Sequence, residues 1–84
     1  MADFDDSFAV IAPCQCRAAR AMLDWTQDRL AQAAGHSRST IKDFENGRHA
    51  LHRSTAADIL HALAGAGVTL TRDEEGLGVR IASV

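Results

Sequence analysis

Between Thr26 and Arg48 the chain reads TQDRLAQAAGHSRSTIKDFENGR, and the punctuation of this stretch restricts its local structure sharply. Thr26 and Ser37 carry side-chain oxygens that can cap the free N–H groups of a helix's first turn. Gly35 and Gly47 suit the left-handed conformation that ends a helix. Asp28 follows Thr26 where the helix dipole favours a negative charge. Leu30, Ala31 and Ala34 recur at helical spacing, and so do Ile41 and Phe44 further on. The reading is two short helices joined by a turn of only Gly35, His36 and Ser37. So tight a turn forces a steep crossing, and Ala31 and Ala34 are small enough to let the backbones approach.

The second helix divides by face. Placed at about 100° per residue with Arg38 at zero, Lys42, Asn46, Ser39 and Asp43 fall within an arc of roughly 140°, and Thr40, Phe44 and Ile41 occupy the other side. One face is wholly polar, and its residue types suit base edges in a DNA major groove. Arg and Lys donate to guanine, Asn pairs with adenine, Asp accepts from cytosine, and Ser does either. An ordinary solvated helix face would have much the same composition.

The string T-Q-x-x-L-A-x-x-x-G-x-S-x-x-T-I-x-x-F-E-N-G-R, carried by Gln27, Leu30, Ala31, Gly35, Ile41, Glu45, Asn46 and Gly47, resembles the DNA-binding domain of the Cro/C1 repressor family, the XRE-type helix-turn-helix proteins. The likeness covers roughly residues 16–63. It implies base-reading positions at Arg38, Ser39, Lys42 and Asp43, and phosphate contacts from Gln27, Asn46, Arg48 and Arg53. It also implies an ion pair between Arg20 in the first helix and Glu45 at the end of the recognition helix. Arg29 departs from the pattern, because an acidic residue is usual there. The change removes a capping box and adds a cation for the DNA backbone.

A net charge of −2 taken alone argues against a polyanionic partner, but its distribution is uneven. Residues 1–13 hold Asp3, Asp5 and Asp6 and no cation. From Cys14 to Arg53 seven Arg or Lys face four acids, a net of +3, and the remainder is again acidic. The positive part coincides with the motif, as a local footprint for phosphates requires. His36, His49 and His52 lie in the same region, either as further cations near DNA or as solvated loop histidines.

The two cysteines, Cys14 and Cys16, point about 200° apart on a helix, so they neither bridge nor share a metal. They read as reduced core or semi-core residues. MADFDDSF lacks the regions of a signal peptide and no run reaches membrane length, so the expected setting is a reducing bacterial cytoplasm, with the protein held on the nucleoid through DNA. No metal, cofactor or small-molecule ligand is expected.

With 84 residues, 46% of them hydrophobic, one small core is within reach. Residues 1–11 mix aspartates with Phe4, Phe8, Val10 and Ile11 and read as an arm that packs against something. Pro13 opens a helix running to about Asp24, although Ala12 is a poor cap. Cys16, Ala19 and Leu23 make its core stripe, while Cys14, Ala18, Ala21 and Met22 make a second stripe. The arm, the C-terminal segment or a second subunit could cover that second stripe. Trp25 reads as a plug over the helix junction. After a loop from His49 to Arg53, Ser54 or Thr55 caps a fourth helix with Ala56, Ile59, Leu60 and Leu63 inward, His61 exposed, and Gly65 and Gly67 at its end. The period then changes. Val68 and Leu70, then Val79 and Ile81, alternate around Arg72-Asp73-Glu74-Glu75-Gly76, which predicts a β-hairpin. Two strands alone are marginal in water, so Val68, Leu70, Val79 and Ile81 are expected to pair with a second copy.

The expected fold is mainly α. A lambda-repressor-like four-helix DNA-binding domain (residues 12–67) follows the arm and precedes a dimerising hairpin (residues 68–84). The expected function is a homodimeric, sequence-specific repressor acting on a double-stranded DNA operator, with no membrane partner. A DNA-binding antitoxin that masks a toxin, or a protein-binding module that has lost DNA binding, would share these features. No nucleophile, base and orienting acid stand in a recognisable arrangement, so an enzyme is not expected.

Overall fold

The computed structural model describes residues 11–82; Phe4, Phe8, Val10 and the three N-terminal aspartates of the expected arm lie outside them. Four helices are followed by one antiparallel hairpin: α1 (Pro13–Leu23), α2 (Gln27–Ala34), α3 (Arg38–Glu45), α4 (Arg53–Gly65), β1 (Val68–Asp73) and β2 (Gly76–Ile81).

Each helix boundary has a local cause. Ala12 has no side chain to cap α1, and instead the Gln15 Oε1 accepts the Ala12 N–H at 3.0 Å. At the other end Asp24 takes up φ 56°, a left-handed conformation that Asp tolerates better than most residues. Thr26 Oγ1 accepts the Arg29 N–H at 3.0 Å to start α2, and Gly35, at φ 78°, ends it. Ser37 Oγ accepts the Thr40 N–H at 3.2 Å to start α3. The expectation for α4 needs correcting. It is capped at His52 rather than at Ser54 or Thr55, without a side-chain bond. Leu51, in the loop, is buried at 7% exposure, and the chain turns into the helix directly after this anchor, which leaves Ser54 and Thr55 inside the first turn.

The core lies where the four helices meet. Cys16 and Ala19 from α1, Leu30 from α2, Ile41 from α3 and Ile59 from α4 are all fully buried. Ile11, read from the sequence as part of the arm, belongs to this core at 4% exposure. Trp25 is half-buried against it, with the Arg29 guanidinium 4.7 Å over the ring. Of the two cysteines only Cys16 is a core residue; Cys14, two residues earlier on α1 and so turned to the opposite side, is exposed.

The hairpin turns through Glu74-Glu75, where Asp73 Oδ1 accepts the Glu75 N–H at 2.8 Å. Its register places Val68 opposite Ile81 and Leu70 opposite Val79, so the four apolar residues share one face. That face is turned largely inward on the same chain. β1 lies against α4 and β2 against α1. Val68 is 1% exposed in the core, Leu70 and Val79 pack half-buried against it, and Ile81 remains 41% exposed. Gln15, itself 3% exposed, donates from Nε2 to the carbonyls of Thr71 at 2.9 Å and Gly78 at 3.1 Å, which fixes the hairpin to α1. Of the expected dimer set, Val68 therefore serves its own core. The second stripe of α1 stays exposed and lines, with Leu77 and Val79, a shallow apolar groove of about 390 Å³.

Candidate nucleic-acid interface

The polar face of α3 is presented outward. Arg38, Ser39, Lys42 and Asn46 are exposed and Asp43 is partly so, while Ile41, Phe44 and Glu45 hold the opposite side at 0%, 5% and 3% exposure. The caps keep the N-terminal end of this helix stiff. Ser37 Oγ lies 3.1 Å from Ser39 Oγ and 3.0 Å from Thr40 Oγ1.

The C-terminal end is held by Glu45, a charged residue with almost no contact with water. Its carboxylate accepts from Arg20 at both oxygens, each at 2.7 Å, from Gln27 Nε2 at 3.1 Å and from Cys16 Sγ at 3.1 Å. Its main-chain carbonyl accepts from the Arg17 guanidinium. Burial alone pushes the Glu45 carboxyl up, but the hydrogen bonds from Arg20, Cys16 and Gln27 together outweigh it and hold the group below the usual carboxylate range. Glu45 is thus an anion at neutral pH, and two helices converge on it. The same neighbourhood raises the Cys16 thiol, chiefly through burial and then through its bond to the Glu45 carboxylate.

The residues expected at phosphates surround this helix in the chain. Arg29 is exposed on α2 beside Trp25, Asn46 and Arg48 are exposed directly after α3, and Arg53 is exposed at the first position of α4. Gln27 is only half-exposed, and its amide supports Glu45. His49 and His52 are exposed in the loop. His36, in the turn between α2 and α3, lies 2.9 Å from Asp58 of α4, so the turn is tied to the helix behind it.

Among the contacts that escaped the sequence reading are those of Cys16, Arg17 and Gln27 with Glu45, His36 with Asp58, and Arg29 over Trp25. The last pair stands four residues apart, Trp25 just before α2 and Arg29 within it, close enough along the chain to be paired by spacing. The others join residues 18 or more positions apart, and nothing in a single chain's periodicity marks them. Cys14 and Cys16 face opposite surroundings, one solvent and one core, as their spacing requires.

The model of the family described as helix-turn-helix matches residues 17–65, which run from α1 to the last residue of α4. No curated protein sequence matches the chain.

Proposed function

Starting from the chain's membership of the Cro/C1-type (XRE) helix-turn-helix family, and hence from a DNA-binding transcription regulator, we propose that it is a homodimeric, sequence-specific repressor that occludes a promoter, its own included. The observation that carries this reading is the rigid outward face of α3, with five polar side chains on one side and three buried residues fixing the other.

Arg38, Ser39, Lys42 and Asp43 read base edges in the major groove. Gln27, Arg29, Asn46, Arg48 and Arg53 grip phosphates, which set register and make binding salt-dependent. Asp43, the one acid on this face, accepts from a cytosine amino group and repels a misplaced phosphate. One eight-residue helix contacts too few bases to select a site by itself, so a second copy reading a second half-site about one DNA turn away supplies the remainder. Exposed Leu77 at 45%, Ile81 at 41% and Met22 at 43% support pairing through the hairpin side of the molecule. The hairpin of β1 and β2 is then the dimerising unit. Repression from a bacterial cytoplasm, with the protein on the nucleoid, completes the reading.

Selection of bound duplexes from a random pool tests it. The expected product is a two-fold symmetric site with half-sites one turn apart. Arg38→Ala is expected to weaken the selected site by about 1–3 kcal/mol and to relax choice at a single base pair in each half. An equal loss on selected and random DNA would remove Arg38 from base reading, and enrichment of a single unrepeated half-site would remove the dimer.

A further inference from the structure

We propose that Arg17, on α1, is a further phosphodiester-binding residue, set at the end of the recognition helix by its bond to the Glu45 carbonyl. The inference rests on the DNA-binding reading above and adds a contact from α1, a helix that carries none of the DNA-contacting residues named so far.

Glu45 is the last residue of α3, and its carbonyl is among those left without a partner inside the helix. Arg17 supplies that partner from another element, and does so while exposed to solvent. A cation at a helix C-terminus is favoured by the helix dipole, which fixes where this guanidinium sits. Arg20 stands three residues further along α1 and holds the Glu45 side chain, so one face of α1 grips the same residue twice.

Recognition helices set their N-terminal residues on base edges. In the proposed binding mode Gln27 and Asn46 grip phosphates, and both adjoin Glu45, so the C-terminal end of α3 is the end set beside the DNA backbone. Asn46 is the next residue in the chain, and the Gln27 amide lies 3.1 Å from the Glu45 carboxylate. Arg17, Gln27 and Asn46 thus border one residue from three directions. A guanidinium carries five N–H donors, and the bond to Glu45 engages one of its nitrogens, which leaves the fork able to meet a phosphate.

The test is affinity for the selected operator and for a random duplex, measured across a salt series with the full chain and its Arg17→Ala, Arg17→Gln and Arg17→Lys variants. The proposal expects Arg17→Ala and Arg17→Gln to weaken both DNAs by the same factor and to flatten the plot of log K against log salt by about 0.9 per bound protomer, about 1.8 for the dimer. Arg17→Lys, which keeps the charge, should retain the slope. A lowered melting temperature with an unchanged slope would make Arg17 a helix cap alone and overturn the proposal. If the unsubstituted protein shows no salt-sensitive binding, the regulator reading falls and takes this one with it.

Discussion

Replacing Glu45 by alanine removes the group on which α1, α2 and α3 converge, and the size of the effect follows from what is left behind. The carboxylate accepts two bonds at 2.7 Å from Arg20, and the pair's side chains are 19% and 1% exposed. Removing one partner of a buried ion pair costs about 3 to 5 kcal/mol because the other charge is stranded. Arg20 keeps some contact with water and a bond to the Trp25 carbonyl at 3.0 Å, which favours the lower end, about 3 kcal/mol. In a chain of 84 residues that loss lowers the melting temperature by roughly 12–24 °C. Urea and thermal unfolding followed by circular dichroism measure it. Adding Arg20→Met to the same chain should recover more than about 1 kcal/mol, since no charge is then stranded. The pH dependence carries the same signature. Glu45 has a lowered folded-state pKa, so its contribution is fully present above the unfolded carboxyl value of about 4.3 and is lost as pH falls through the folded value. The Glu45→Ala chain should therefore lose stability less steeply than the parent between neutral pH and pH 3. A fall in melting temperature of under about 3 °C, or no recovery with Arg20→Met, would refute the claim that this pair holds the recognition helix.

Other substitutions separate the remaining contributions. Gln15→Ala strands the Ala12 N–H and removes the two bonds to Thr71 and Gly78; it should cost about 2 kcal/mol and raise hydrogen-exchange rates in the hairpin more than in α2 and α3. Gly35→Ala and Gly65→Ala should move stability in opposite directions. Neither added Cβ meets an atom within 4 Å, but Gly35 has φ +78° and Gly65 is helical, so the first should lose about 1–2 kcal/mol and the second gain up to about 1 kcal/mol in urea unfolding. A maleimide should label Cys14 alone in the native chain and both cysteines after denaturation, because Cys16 is fully buried and its thiol is raised; two equivalents taken up natively would contradict the core assignment. Charging the exposed apolar side with Leu77→Asp should leave the fold intact and shift the mass seen by light scattering from dimer to monomer, and an unchanged dimer would place the second copy elsewhere.

The motif's elements were legible because their causes are local. Thr26, Gly35 and Ser37 fix helix ends through bonds to residues within three or four positions, and the 3.6-residue spacing of Leu30, Ile41 and Phe44 needs only the chain itself. The hairpin was legible for the same reason, since a change from helical to alternating spacing marks it. Arg20 and Glu45 could be paired only by likeness to a family, for their separation has no periodic signature.

What tertiary structure decided is where those elements meet. Ser54 and Thr55 look like caps by residue type, yet Leu51 reaches the core first and the helix begins at Arg53. Val68 looks free for a partner by its alternation, yet the hairpin lies back over α1 and α4 and buries it at 1% exposure. Gln15 carries no mark in the sequence, but it becomes the bolt between α1 and the hairpin because two carbonyls more than fifty residues away arrive beside its amide. Capping and periodicity are properties of neighbours along the chain, so the sequence determines them. Burial and partner choice depend on which distant surfaces exclude water together, and that is settled only when the whole chain has folded.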